Sequence, residues 1–308
     1  MKKIVSIMLF ATVLLSLAPC KGKKAKSYNV TLITMDQMDQ HWQNVNKGGQ
    51  KAAAELGNIN FKWLAPSVKD DAQQIECINN AVAQGADAIL IAANGPDSVT
   101  SALKSAQREG VKIIYVDSPA NLAAEATFST DNKAAGKTAG QEMLKELKAK
   151  GVSSGSIGII SVNPSTASTV AREEGFKEAF SGTAYTILAT QYCDGDAARS
   201  KDAAANFITQ GVVGLFGANE GSTVGVGNAI REAKASTVGV GFDKSDTILQ
   251  QIEQGYLLCA MAQNPDVMGY EGVKAAATIL SGKKIAKDKQ KVDTGVSVIS
   301  KSNIAQFK

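Results

Sequence analysis

The segment TMDQMDQHWQ, residues 34–43, sets two carboxylates, Asp36 and Asp39, beside the single histidine, His41, and one of the two tryptophans, Trp42. Aromatic residues make up only 6% of the chain, so two rings among acids call for a reason. A polyhydroxylated ligand supplies one. Adjacent hydroxyls donate and accept in pairs, which Asp, Asn, Gln and Arg match with paired hydrogen bonds. The apolar C–H faces of a sugar ring stack on flat aromatic groups. Two plainer readings stand beside this one. Trp42 suits the packed face of a helix equally well, and a lone histidine is more often structural than a ligand.

Other chemistries find less support. With one histidine, a His-based zinc site and a Ser-His-Asp triad are both poorly supplied, and neither a metal nor a cofactor is expected. AAGKTAG (134–140) contains GKT, but Asp131 stands where a phosphate loop needs its first glycine. GVGNAI (225–230) lacks the third glycine of a dinucleotide fingerprint. Asp39 and Asp117 could serve a hydrolase as acid and base, a rival that only product formation would support. A net charge of +4 gives no reason to expect nucleic acid.

The elements that must position these groups alternate regularly. Apolar, strand-like runs occupy 29–35, 59–65, 88–94 and 112–118, with helical patterns between them. After a long helix from Asp131 to Lys150 the pattern restarts, with strand-like runs at 151–162, 185–192, 212–219, 236–243 and 257–263. Nearly continuous apolar strands indicate parallel sheets covered on both faces. The chain therefore reads as α/β, with two doubly wound parallel-sheet domains joined by a multi-strand hinge. The expected boundaries are 28–130 plus 264–292 for the N-terminal domain and 131–263 plus 293–308 for the C-terminal one.

Ligands of such sheets bind beyond the carboxyl ends of the strands. Those positions hold Asp36 to Trp42, Asn94, Asp117-Ser118, the loop from Asn163 to Arg172, Cys193-Asp194, Asn219-Glu220, Asp243 and Gln263-Asn264. Nearly all are planar polar groups.

The N-terminus reads as an export signal over residues 1–19. Lys2 and Lys3 precede an apolar core too short to span a bilayer, where about 20 residues are needed. It resembles a lipoprotein signal, because Leu17-Ala18-Pro19-Cys20 puts Cys20 where lipid is attached, although Pro19 departs from the usual small residue. Residues 20–27 then form a lysine-rich tether. The other cysteines, Cys77, Cys193 and Cys259, are odd in number without CxxC spacing, and read as small buried hydrophobes.

From Tyr28 onward the chain resembles periplasmic sugar-binding proteins of the ribose-binding type, which have the type I periplasmic binding protein fold. The resemblance rests on YVDS (115–118), STVAREEGF (168–176), FGANEGSTVGVGNAI (216–230), VGFD (240–243) and AMAQNPDVMG (260–269). It implies ring-stacking roles for His41 and Trp42. It implies hydroxyl-binding roles for Asp39, Asp117, Arg172, Asn219, Asp243 and Gln263, with Ser118 beside them. Asp39, His41 and Ser118 stand where ribose binders usually have Asn, Phe and Arg, so the pocket is more acidic and ribose is not assigned.

The resemblance implies a monomeric, non-enzymatic receptor outside the cytoplasmic membrane. It would deliver a monosaccharide to the permease of an ABC importer by hinge closure. A furanosyl quorum-sensing autoinducer as ligand, or a signalling-only role with a chemoreceptor or sensor kinase as partner, are the alternatives. A transcription-factor core shares the fold, but the export signal and the lack of an N-terminal helix-turn-helix oppose it.

Overall fold

The structure, a computed structural model, describes residues 26–308. The export signal, Cys20 and most of the tether lie outside the described residues. The first domain opens with β1 (Tyr28–Ile33), α1 (Gln40–Leu56), β2 (Ile59–Leu64), α2 (Asp71–Ala83), β3 (Ala88–Ile91), α3 (Thr100–Arg108), β4 (Lys112–Val116) and β5 (Ala126–Ser129). The second contains α4 (Asn132–Ala149), β6 (Gly155–Ser161), α5 (Ala167–Ala179), β7 (Tyr185–Ile187), β8 (Gln191–Tyr192) and α6 (Ala197–Thr209). It continues with β9 (Gly214–Gly217), α7 (Glu220–Ala233), β10 (Val238–Phe242), α8 (Asp246–Glu253) and β11 (Cys259–Gln263). Next, α9 (Pro265–Leu280) and β12 (Lys291–Asp293) return to the first domain, and β13 (Val296–Ser300) joins the second.

The first sheet has strand order β12-β5-β4-β3-β1-β2, all parallel. The second runs β13-β11-β10-β9-β6-β7, with β8 also on β6 and β13 antiparallel at the edge. Both are doubly wound. The strand order reverses between β1 and β3 in one and between β6 and β9 in the other, which are the places where such sheets open a crevice.

Central strands are apolar because both faces are covered. All four residues of β3, AILI, are buried. Leu90 faces α1 and α9 in a cluster with Val30, Val45 and Val273, while Ile89 and Ile91 face α2 and α3 with Ile78 and Leu103. In the second domain Phe176, Phe216 and Phe242 fill the α4–α5 side, and Leu215, Ile248 and Ile252 fill the opposite side. Cys193 and Cys259 are buried in these cores, Cys77 is half-buried, and none of the three is paired with another among the described residues.

Several elements depart from the sequence pattern. The run 185–192 is two short strands, β7 and β8, rather than one. Helix α6 begins at Ala197, where Asp196 accepts the Arg199 N–H at 2.7 Å, a start set by the cap and not by apolar spacing. Strands β5, β12 and β13 carry no continuous apolar run and are found only through their sheet partners.

The helix pairs α1–α9 and α4–α5 meet at glycines. A Cβ on Gly48 would lie 1.9 Å from the Asp266 carbonyl oxygen, and one on Gly136 would lie 2.1 Å from that of Arg172. Nothing larger than hydrogen fits there.

The chain passes between the domains three times, at 129–132, 263–265 and 293–296. The passages are tied together. Asn264 donates to the Thr294 carbonyl at 2.7 Å, and the Asp131 N–H donates to Asp293 at 3.1 Å.

Candidate ligand-binding site

Residues beyond the carboxyl ends of strands from both sheets line one narrow, nearly filled cavity. The first domain contributes Asp39, His41, Trp42 and Asp117; the second contributes Arg172, Asn219, Asp243 and Gln263. Ser118 is buried just off this wall, where its Oγ accepts the Ser168 N–H at 3.3 Å across the domain boundary. Eight of the nine candidates named from the sequence thus share the cavity, and Ser118 joins the domains next to it.

Asp117 and Asp243 end β4 and β10 in the same way. Both adopt left-handed backbone, with φ of 61° and 72°, a conformation that costs an L-residue roughly 1–2 kcal/mol and that Asp tolerates better than most. Between their carboxylates stands His41. Its Nε2 lies 3.0 Å from Asp117 Oδ2 and its Nδ1 lies 3.5 Å from Asp243 Oδ1. These are ion-pair contacts, and Nε2 makes no aligned hydrogen bond.

Arg172 is held from three sides. Its Nε donates to Asn132 at 2.8 Å, its Nη1 donates to the Ala218 carbonyl at 3.0 Å, and the guanidinium lies 4.3 Å from the centre of the Phe242 ring. Its Nη2 comes within 3.7 Å of Asp117 Oδ2 but has no hydrogen-bond partner among the described residues. Asn219 spends its oxygen capping α7 through the Ser222 N–H, leaving Nδ2 buried and without a partner among the described residues. Gln263 donates to Asp243 at 2.6 Å and accepts from Thr130 at 2.9 Å, so a first-domain hydroxyl orients a second-domain amide.

Trp42 has two settings at once. It is 4% exposed within the α1–α9 core and meets His41 edge to face, with ring centres 4.6 Å apart. It therefore packs and lines the cavity together.

Strand-end reading omitted the loop after β2, and that loop carries Lys69. Its ammonium is buried between Asp36 and Asp39, 3.0 Å from the latter. The rule that singled out the other strand ends covers this loop too. Ser168 and Thr169 fall within the strand-end loop from Asn163 to Arg172 without being singled out there, and Thr130, a small hydroxyl residue, gave no site signal.

Protonation follows from these neighbours. Burial pushes the Asp39 carboxyl up to about 6, with Lys69 pulling against it. Burial opposes a charged Lys69, but Asp39 and Asp36 outweigh it and hold the ammonium protonated well above its ordinary range. Burial opposes a charged His41, yet Asp243 and Asp117 prevail and raise its pKa, against Arg172. For Asp117 burial favours the neutral acid, but His41 and Arg172 hold the carboxyl below its usual value. Burial, reinforced by Asp39, pushes Glu220 up to about 8.

The arrangement offers donors and acceptors around a small space. Residues 30–284 match the model of a periplasmic binding protein domain. The ribose import binding protein of Haemophilus influenzae is 28% identical over 310 residues, covering 97% of this chain and all of that protein (100%). A carbohydrate transporter solute-binding protein from Agrobacterium radiobacter, solved with D-arabinose, superposes with a TM-score of 0.86 at 29% identity, covering 91% of this chain and 96% of that one. One from Agrobacterium vitis, an ABC transporter solute-binding protein bound to α-D-tagatopyranose, gives 0.84 at 26% identity, covering 91% and 99%.

Proposed function

The chain belongs to the periplasmic binding protein family, and from that membership we propose that it is the sugar-capturing subunit of an ABC importer. A neutral monosaccharide binds between the two domains, the domains close on it, and the closed form docks on the membrane permease. Contacts from both domains favour the closed form by differential binding energy, with no chemistry performed. Export, and anchoring through Cys20, belong to the same reading on sequence grounds.

The observation that supports it most is the pair of unpartnered donors, Arg172 Nη2 and Asn219 Nδ2, on the same cavity wall as the carboxylates of Asp117 and Asp243. An unmet buried polar group costs about 1–3 kcal/mol, and a polyol satisfies donors and acceptors together. Charge favours a neutral ligand as well. Asp36, Asp39, Asp117 and Asp243 outnumber Lys69, Arg172 and a protonated His41, which leaves no free cation in this cavity among the described residues for a phosphate or a uronate.

A thermal-shift panel of neutral pentoses and hexoses tests the reading, with sugar phosphates and uronates alongside. One or a few neutral sugars should raise the melting temperature, since ligand at 100 times its Kd adds about 2.7 kcal/mol. A panel in which only the anionic sugars stabilise, or none does, overturns it.

A further inference from the structure

His41 faces one carboxylate from each domain, with Asp117 beside Nε2 and Asp243 beside Nδ1. A neutral imidazole carries a proton on one nitrogen and turns a lone pair to the other. In this setting one of the two carboxylates would then meet that lone pair. Only the imidazolium presents N–H at both nitrogens. We propose that His41 is a proton-dependent clasp, whose imidazolium ties Asp117 of the first domain to Asp243 of the second, so that closing the cleft takes up a proton.

The surroundings support the charged form. Burial and Arg172 oppose it, but the two carboxylates outweigh them and raise the His41 pKa. Glu220 accepts the backbone N–H of His41, and burial favours its neutral acid. Asp36, Asp39 and Lys69 form their own cluster on the adjoining loops. Separation of the domains takes both Asp243 and Arg172 away and leaves Asp117 beside the ring, so Asp117 sets the open-form value. Of the two groups that close on the ring, Asp243 outweighs Arg172. The closed form with its higher pKa is thus favoured in full below the open-form value and loses the contribution as pH rises through the closed-form value. The effect on sugar affinity rests on the receptor reading; the clasp itself needs no ligand.

His41 is the only histidine, so its ring resonances in untagged protein report one group. An NMR titration without ligand should place the ring pKa above about 6.5, and Asp243→Asn should lower it. Small-angle scattering of the same ligand-free protein should show compaction on going from high to low pH, diminished in His41→Phe. Asp39 and Glu220 also take up protons on closure, so Glu220→Gln is measured in parallel to separate their share. A wild-type ring pKa unmoved by Asp243→Asn, or compaction undiminished in His41→Phe, overturns the clasp. Both measurements decide it even where no sugar in the panel binds.

Discussion

Glu220, at the start of α7 in the second domain, accepts the backbone N–H of His41, at the start of α1 in the first, at 2.9 Å. Its other oxygen takes the Gln40 N–H at 3.0 Å. Asp39, the residue before α1, makes no side-chain cap bond of its own, so the free donors at this helix end are met from across the cleft. Gln40 adds a second tie by accepting the Asp246 N–H at 3.0 Å.

Glu220→Ala should therefore weaken binding of the stabilising sugar by several-fold, in line with the ~1 kcal/mol of a lost cap. The loss should fall on the dissociation rate, because the cap forms only once the domains have met. Glu220→Gln, which keeps one acceptor, should lie between. Stopped-flow kinetics showing a changed association rate and an unchanged dissociation rate would refute the cap.

The same carboxyl, raised to about 8 in the closed form, should make affinity pH-dependent. Once the domains separate it returns toward an ordinary glutamate value near 4.3. Its contribution to closure is complete below that value and disappears as pH rises through about 8. Titration calorimetry should find affinity falling from pH 5 toward pH 9, with a shallower fall in Glu220→Gln. Equal slopes in the two proteins would exclude Glu220 as a source.

Arg172→Ala and Asp243→Ala should each lower affinity at least tenfold, or about 1.4 kcal/mol. Each leaves buried partners unmet: Asn132 and the Ala218 carbonyl in one case, Gln263 in the other. The double variant should lose less or more than the sum, since both groups would grip one small ligand. Additive losses in calorimetry would place the two in separate sites.

Lys69→Met should cost stability before it costs binding. Removing one partner of a buried pair leaves an uncompensated charge, worth about 3–5 kcal/mol, and here both Asp36 and Asp39 lose their cation. Urea unfolding at pH 7 should show the drop, and lowering the pH should recover part of it as Asp39 protonates. A drop that stays constant across pH would point to lost packing instead.

Central strands announce themselves because burial on both faces demands unbroken apolar runs, as in AILI of β3. Edge strands carry no such demand, and β12, the three residues KVD, acquires its identity only from lying beside β5. All nine site candidates could be named because ligands of parallel sheets meet strand ends and their residue types were distinctive, and eight of them line the cavity. Lys69 stands in a strand-end loop as well, the one after β2. The ties that Thr130 and Ser168 make between domains arise from three-dimensional proximity alone, since a small hydroxyl looks the same wherever it stands in a sequence. For Trp42, spacing left packing and ligand contact open, and its position supports both.

The glycines at the helix seams divide the chain into positions open to redesign and positions closed to it. Gly136 touches the backbone of Arg172 itself, so a methyl added on α4 would shift the guanidinium without altering any group in the cavity. Asp39, Asp117, Asn219 and Asp243 meet no such limit, because they stand in loops, whereas Trp42 and Arg172 lie on the seam helices themselves. A new ligand preference can therefore be written into those loops one substitution at a time, on a scaffold whose geometry is kept by residues that never touch the ligand.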